Sequence, residues 1–210
     1  MTAQATPGPD RGTGQPDPVA GPPVDYRLVL PDRWYRIDVQ PGPRKRAIKV
    51  LLDRQFRGIN GAEQLRKQME GQLLAMARGA YSAGGIEIYL CQQDILGVPI
   101  PASLVVSLTV PAPGGQAMTP QQLAGTFDDD RDVTLTDLPA GTAVRTRRRT
   151  VPAADDPSGN ILPGTNLDLY VPVPASAQYL ILAFSTSLDP LADSLVDLFD
   201  AIAGTLQWIR

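Results

Sequence analysis

The chain has 210 residues, 43% hydrophobic and 20% charged, with a formal net charge of −3. That is the balance of an ordinary globular protein, and its acidic sign argues against general nucleic-acid affinity, which needs a basic field. It contains no histidine and one cysteine, Cys91. Ser-His-Asp and Cys-His catalysis, histidine-containing zinc sites and an internal disulfide are thereby excluded.

Residues 1–24 are rich in Pro, Gly, Thr and Asp and hold almost nothing to bury. They predict a flexible tail, and residues 25–210 then make one domain. The N-terminus shows no apolar h-region, and no stretch reaches the ~18 apolar residues of a membrane span. The expectation is a cytoplasmic protein.

In VDYRLVLPDRWYRIDV (24–39), apolar residues alternate on either side of Pro31-Asp32, predicting two short strands. RKRAIKVLLDRQFRG follows with helical period: Ile48, Leu51, Leu52 and Phe56 share a side, and Gly58 stops it. A second helix is predicted from Asn60, a cap boxed with Glu63, to Gly84-Gly85. Its stripe is Leu65, Met69, Leu73, Met76, Ala77, Ala80 and Tyr81, and Leu74 lies off it.

GIEIYLCQQ and PASLVVSLTVP alternate as strands. Thr119, Pro120 and Gln122 open a short helix with a capping box. After the charged DDDRD come the strands VTLTDL, GTAVRTRRRTVP and NLDLYVPVP, then QYLILAFSTS, apolar enough to be central. A closing helix is expected from an Asp189 cap and Pro190, with Leu191, Leu195, Leu198, Phe199, Ile202 and Leu206 on one side and Asp193, Asp197 and Asp200 on the wet side. Adjacent strands with short connections imply antiparallel pairing. The fold class expected is α+β: an antiparallel sheet of six to seven strands covered by helices, with a disordered N-terminal tail.

Four arginines fall within Arg145–Arg149. Alternation sends Arg145, Arg147 and Arg149 to one face and Arg148 to the other, so both faces are polar and an edge strand or projecting arm is expected. Asp168, Asp155 or Asp156 could pair with these arginines; alternatively the run is a patch for an acidic protein partner or acidic lipid. No interleaved aromatics serve nucleic acid. Asp128, Asp129, Asp130 and Asp132 lack the alternation of a calcium loop, so no metal site is assigned. Cys91 reads as an inert thiol without an activating base. No phosphate-binding glycine motif occurs, and no cofactor is assigned. Trp34, Glu87 and Tyr89 are candidates for a cleft between sheet and helices. Trp34 and Trp208 could flank a shared one.

YRLVLPDRW (26–34), with apolar alternation running into Pro, two residues and Trp, resembles the opening strand of Mog1/PsbP-like proteins. YLILAFSTS with the closing LADSLVDLFDAIAGTLQWI is similar to that family's last strand and helix. Actinobacterial members include the LpqN-like lipoproteins. The resemblance implies an α-β-α sandwich and a mostly non-enzymatic binding role. The functional expectation is a non-catalytic protein-interaction or adaptor domain, associated with an actinobacterial secretion or envelope system. The expected partner site is Arg145, Arg147, Arg148 and Arg149. The alternative is a ligand-binding or enzymatic domain using a cleft carboxylate such as Glu87.

Overall fold

The computed structural model describes residues 21–95, 97–110, 117–152 and 162–210. In chain order these form β1 (Asp25–Arg27), β2 (Trp34–Asp38), α1 (Pro43–Gln55), α2 (Glu63–Ser82), β3 (Gly85–Cys91), β4 (Asp94–Ile95), β5 (Val98–Pro99) and β6 (Ala102–Leu108). There follow α3 (Pro120–Ala124), β7 (Asp132–Leu138), β8 (Gly141–Thr150), β9 (Gly164–Pro172), β10 (Tyr179–Thr186), a 3₁₀ turn (Asp189–Leu191), α4 (Ala192–Ala203) and β11 (Gln207–Ile209).

Seven strands make one sheet in the order β2-β3-β6-β10-β9-β8-β7, and every neighbouring pair is antiparallel. The α+β class and the strand number expected from sequence are those observed, and β10, the most apolar strand, is the middle one. β1 joins β11 in a separate two-stranded ribbon. The Val24 N–H extends it by donating to the Ile209 carbonyl at 3.0 Å. The tail read from sequence lies, for residues 1–20, outside the described residues.

Alternation decides the two faces. On one, Leu104, Val106, Leu167, Leu169, Val171, Leu180, Leu182 and Phe184 are buried beneath α4, which contributes Leu195, Val196, Phe199, Ile202 and Ala203. Phe199 stacks on Phe184 (4.8 Å between centroids) and meets Trp34 edge-on at 6.4 Å. Each such side chain stabilises the fold by roughly 1.5–3 kcal/mol through burial. The opposite face carries α1 and α2 over β2 and β3, around Ile37, Val39, Ile48, Leu51, Leu52, Ala77 and Ile88, and carries α3 over β7 and β8. No helix among the described residues is long and apolar enough to cross a membrane.

Several local readings change. The cap of α2 is Ala62, with no side-chain hydrogen bond, because Gly61 at φ +74° turns the chain in after Asn60. Its seam runs through Met69, Leu73, Leu74, Ala77 and Ala80, leaving Leu65, Met76 and Tyr81 exposed. Leu74 therefore belongs to the stripe after all. Asp189 caps nothing; a 3₁₀ turn precedes α4, whose N-cap is Leu191. α4 ends at Ala203, where Gly204 closes it, and Gln207–Ile209 are strand because β1 offers them an edge. The Thr119–Gln122 capping box of α3 is present in both directions.

Candidate functional site

β8 is not an edge. It pairs with β7 on one side and β9 on the other. Only Arg148–Thr150 run past the end of β7, whose pairing stops at Asp132 opposite Arg147. The alternation of the arginines is as read from sequence, but their partners are the aspartates of the closing helix and its lead-in turn. Arg145 grips Asp200 with two hydrogen bonds, Nε to Oδ1 and Nη2 to Oδ2, both 2.9 Å. Arg147 reaches Asp193. Arg149 holds Asp189 in the same two-pronged way, at 2.9 and 3.0 Å. Asp193 and Asp200 are therefore not merely the wet side of α4. Three guanidinium groups fasten that helix to the sheet where the apolar seam stops. Exposure rises along the row, from 16% for the Arg145 side chain to 34% for Arg147 and 55% for Arg149. The Asp200 hydrogen bonds hold the Arg145 pKa above its ordinary value, and Arg149 holds the Asp189 carboxyl below the usual carboxylate range. Arg148 points to the other face and pairs with Asp130 at 2.9 Å. Asp168, an expected partner, faces Arg131 at 3.7 Å. Asp155 and Asp156 lie outside the described residues.

The structure brings Glu87 and Tyr89 to one depression, while Trp34 and Trp208, both packed on the α4-side core, line two others. Glu87 is almost fully buried, with 5% of its side chain exposed, and accepts from the Tyr26 hydroxyl and the Arg36 Nε. It thus ties β1, β2 and β3 into one bracket. Burial works against the Arg36 charge, but the Glu87 carboxylate outweighs it and keeps that pKa above its ordinary value. Burial, reinforced by the same carboxylate, pushes both phenols, Tyr26 and Tyr89, well above their usual range. These groups flank a depression of about 250 Å³. Trp34 lines another, of about 360 Å³, with Arg33, Tyr35, Arg54 and Gln92, and its indole Nε1 is buried without a partner. Trp208 donates to the Ala140 carbonyl at 2.9 Å and lines a third, of about 370 Å³, against Pro22, Pro23 and Leu180. Burial also raises the Cys91 thiol pKa, in keeping with an inert thiol.

A different surface was missed at the level of sequence. On the outer face of the three middle strands, alternate residues are only half-buried: Ser103, Val105 and Ser107 on β6, Ile181, Ala183 and Ser185 on β10, Asn166, Asp168 and Tyr170 on β9. α1 and α2 rest mainly on β2 and β3, and α3 on β7 and β8, so these strands form the floor of a strip between two covers. One wall is Phe127, which packs on Tyr170 at 5.1 Å, with Arg131 5.5 Å above Phe127. At one end, Met118 accepts from the Tyr179 hydroxyl at 2.6 Å. The other opens into a polar depression of about 460 Å³ lined by Gln55, Ser103, Thr150, Asn166 and Ser185, where the two serine hydroxyls are 2.8 Å apart. Within the strip, burial holds the Asp168 carboxyl above the usual range, with Arg131 opposing the shift. The sequence signal for this floor is its small residues, Ser103, Ser107, Ala183 and Ser185, facing away from the large ones.

No family model matches the chain, and no curated protein matches it. Among solved structures the chain is similar to cyanobacterial PsbP (CyanoP) from Synechocystis sp. PCC 6803, in solution. The identity is 13% and the TM-score 0.46, over 87% of this chain and 86% of that one.

Proposed function

We propose that this chain is a non-catalytic protein-interaction domain, and that a protein partner engages it along the open strip of the outer sheet face. One observation carries the reading: the middle three strands are sealed on the α4 side but half-open on the other. Small side chains there let another backbone approach, and Ser, Asn and Asp groups supply hydrogen-bonding partners. Arg148 lies on the strip's sheet face, where Asp130 meets its charge, so a partner that uses it displaces that acid. Arg145, Arg147 and Arg149 act within the fold, because their charges are already met by α4 and its lead-in turn. The Pro- and Gly-rich segment ahead of Gly21 serves as a tether. The resemblance of the chain's ends to actinobacterial Mog1/PsbP-like members supports a place in a secretion or envelope system, with the domain acting on the cytoplasmic side.

The test is capture from native cells with wild-type protein, Ala183→Arg and Arg145→Lys, after confirming that all three unfold at similar urea concentrations. Ala183→Arg fills the strip and should lose a partner that the other two retain. Equal recovery by all three would remove the strip as the binding surface. A second reading, a small-ligand site at Glu87, draws on the convergence of Tyr26, Arg36, Glu87 and Tyr89 at one depression. It requires that a polar ligand raise the melting temperature of wild type and not of Glu87→Gln.

A further inference from the structure

The arginine run is not where positive charge is unspent. Residues 43–82, the α1–α2 layer, carry nine Lys/Arg against three Asp/Glu, a net +6 in a chain whose total is −3. The remainder is then −9. On α1 the buried side is Ile48, Leu51 and Leu52, while Lys45, Arg46, Lys49 and Arg54 are exposed, as is Arg57 just past its end. Asp53 is the one acid on that helix; it takes Lys49 at 3.2 Å and Arg66. Arg54 stands 5.8 Å from the centre of the Tyr35 ring. Lys45, Arg46 and Arg57 have no acidic partner among the described residues.

Apolar side chains break the surface of the same layer. Val50 is exposed on α1, Ile59 is 57% exposed in the turn between Gly58 and Gly61, and Leu65 is exposed in the first turns of α2. Both glycines hold positive φ, +78° and +74°, so the turn projects Ile59 with the strained positions taken by residues that tolerate them.

We propose that the α1 face and the α1–α2 turn form a docking surface for an anionic phospholipid bilayer. Charge complementarity selects an anionic partner, since a helix face of long cationic side chains meets any plane of phosphate and carboxylate charge. The exposed aliphatics select lipid over the other polyanions. Val50, Ile59 and Leu65 can enter the interfacial region of a membrane, whereas a nucleic-acid backbone offers them nothing to bury against and no aromatic platform for bases stands among them. α4, with Asp193, Asp197 and Asp200, lies across the sheet on the side away from such a surface. This reading is independent of the strip proposed above, which lies across β6, β10 and β9.

The test uses the full chain and vesicle co-sedimentation, with vesicles of phosphatidylcholine alone and of phosphatidylcholine with phosphatidylglycerol. Binding should require the anionic lipid and vanish at high salt, where the Debye length falls to about 3 Å. Each cation near an anionic surface strengthens binding roughly five-fold, so Lys45→Gln/Arg46→Gln/Lys49→Gln should weaken it about a hundred-fold. Ile59→Ser should weaken it too, and Arg27→Gln, outside the patch, should not. These residues are exposed, so the variants should unfold at similar urea concentrations, and each is checked for that. Equal binding to both vesicle types, no loss in the triple variant, or binding to polyglutamate or duplex DNA in place of anionic vesicles would overturn the proposal.

Discussion

Replacing Asp200 by alanine leaves the Arg145 guanidinium with 16% of its side chain exposed and without its two 2.9 Å acceptors. Exposed pairs contribute about 0.2–1 kcal/mol, and breaking a fully buried one costs about 3–5 kcal/mol. The Arg145–Asp200 pair, bidentate and half-buried, falls between, so the substitution should cost about 2 kcal/mol. At this chain length that lowers the melting temperature by roughly 4–8 °C. The stronger measurement is a set of double-mutant cycles, Arg145/Asp200, Arg147/Asp193 and Arg149/Asp189, each arginine changed to methionine and each aspartate to alanine, read by urea unfolding at low and high salt. Arg145/Asp200 is two-pronged and the least exposed, so its coupling should be the largest; Arg149/Asp189, two-pronged but more exposed, should follow, and Arg147/Asp193, single-pronged with Asp193 87% exposed, should couple least. Salt should erase the Arg147/Asp193 coupling first. Equal couplings, an inverted order, or no coupling at Arg145/Asp200 would refute the reading of the row as a clasp on α4.

Phe199→Ala should cost about 3–5 kcal/mol, because the ring is fully buried between Phe184 and Trp34, while Leu198→Asp, at a half-buried position, should cost less; urea midpoints decide the ranking. Gly84→Ala should destabilise by about 1–3 kcal/mol, since φ is +84° and a Cβ would lie 2.7 Å from the Leu108 carbonyl oxygen; wild-type stability would show that the α2–β3 turn can rearrange. Burial raises the folded pKa of Asp168, so its ionised form is a cost to the native state at neutral pH. That cost declines as pH falls through the raised value and is gone below the unfolded one. Asp168→Asn should therefore be more stable than wild type at pH 7, with the advantage shrinking in acid; a less stable variant at pH 7 would mean that the Arg131 pairing outweighs burial.

Alternation made the strands legible because burying one sheet face leaves a period of two in the sequence. Leu104 and Val106, or Leu167, Leu169 and Val171, announce both their strand and their inner face. The same holds for α1, whose stripe Ile48, Leu51 and Leu52 is the one buried, and for α3, whose capping box is local chemistry. Strand count and antiparallel class follow from such local periods and short connections. What each charged group faces does not, because it depends on residues far away in sequence. Arg145 meets Asp200 across 55 positions and Glu87 meets Tyr26 across 61. The arginine run thus read as an edge paired with Asp168, Asp155 or Asp156, or else as a free patch, and became a clasp on α4, while the unspent charge of α1 was read only as part of an amphipathic helix. Where helices settle on a sheet is also a global packing outcome, and it decided that β6, β10 and β9 stay half-open between α1–α2 and α3. Local sequence determined the elements and their greasy sides through hydrophobic period; the tertiary structure decided which polar groups are satisfied within the fold and which remain for a partner, because charge pairing is set by distance in space.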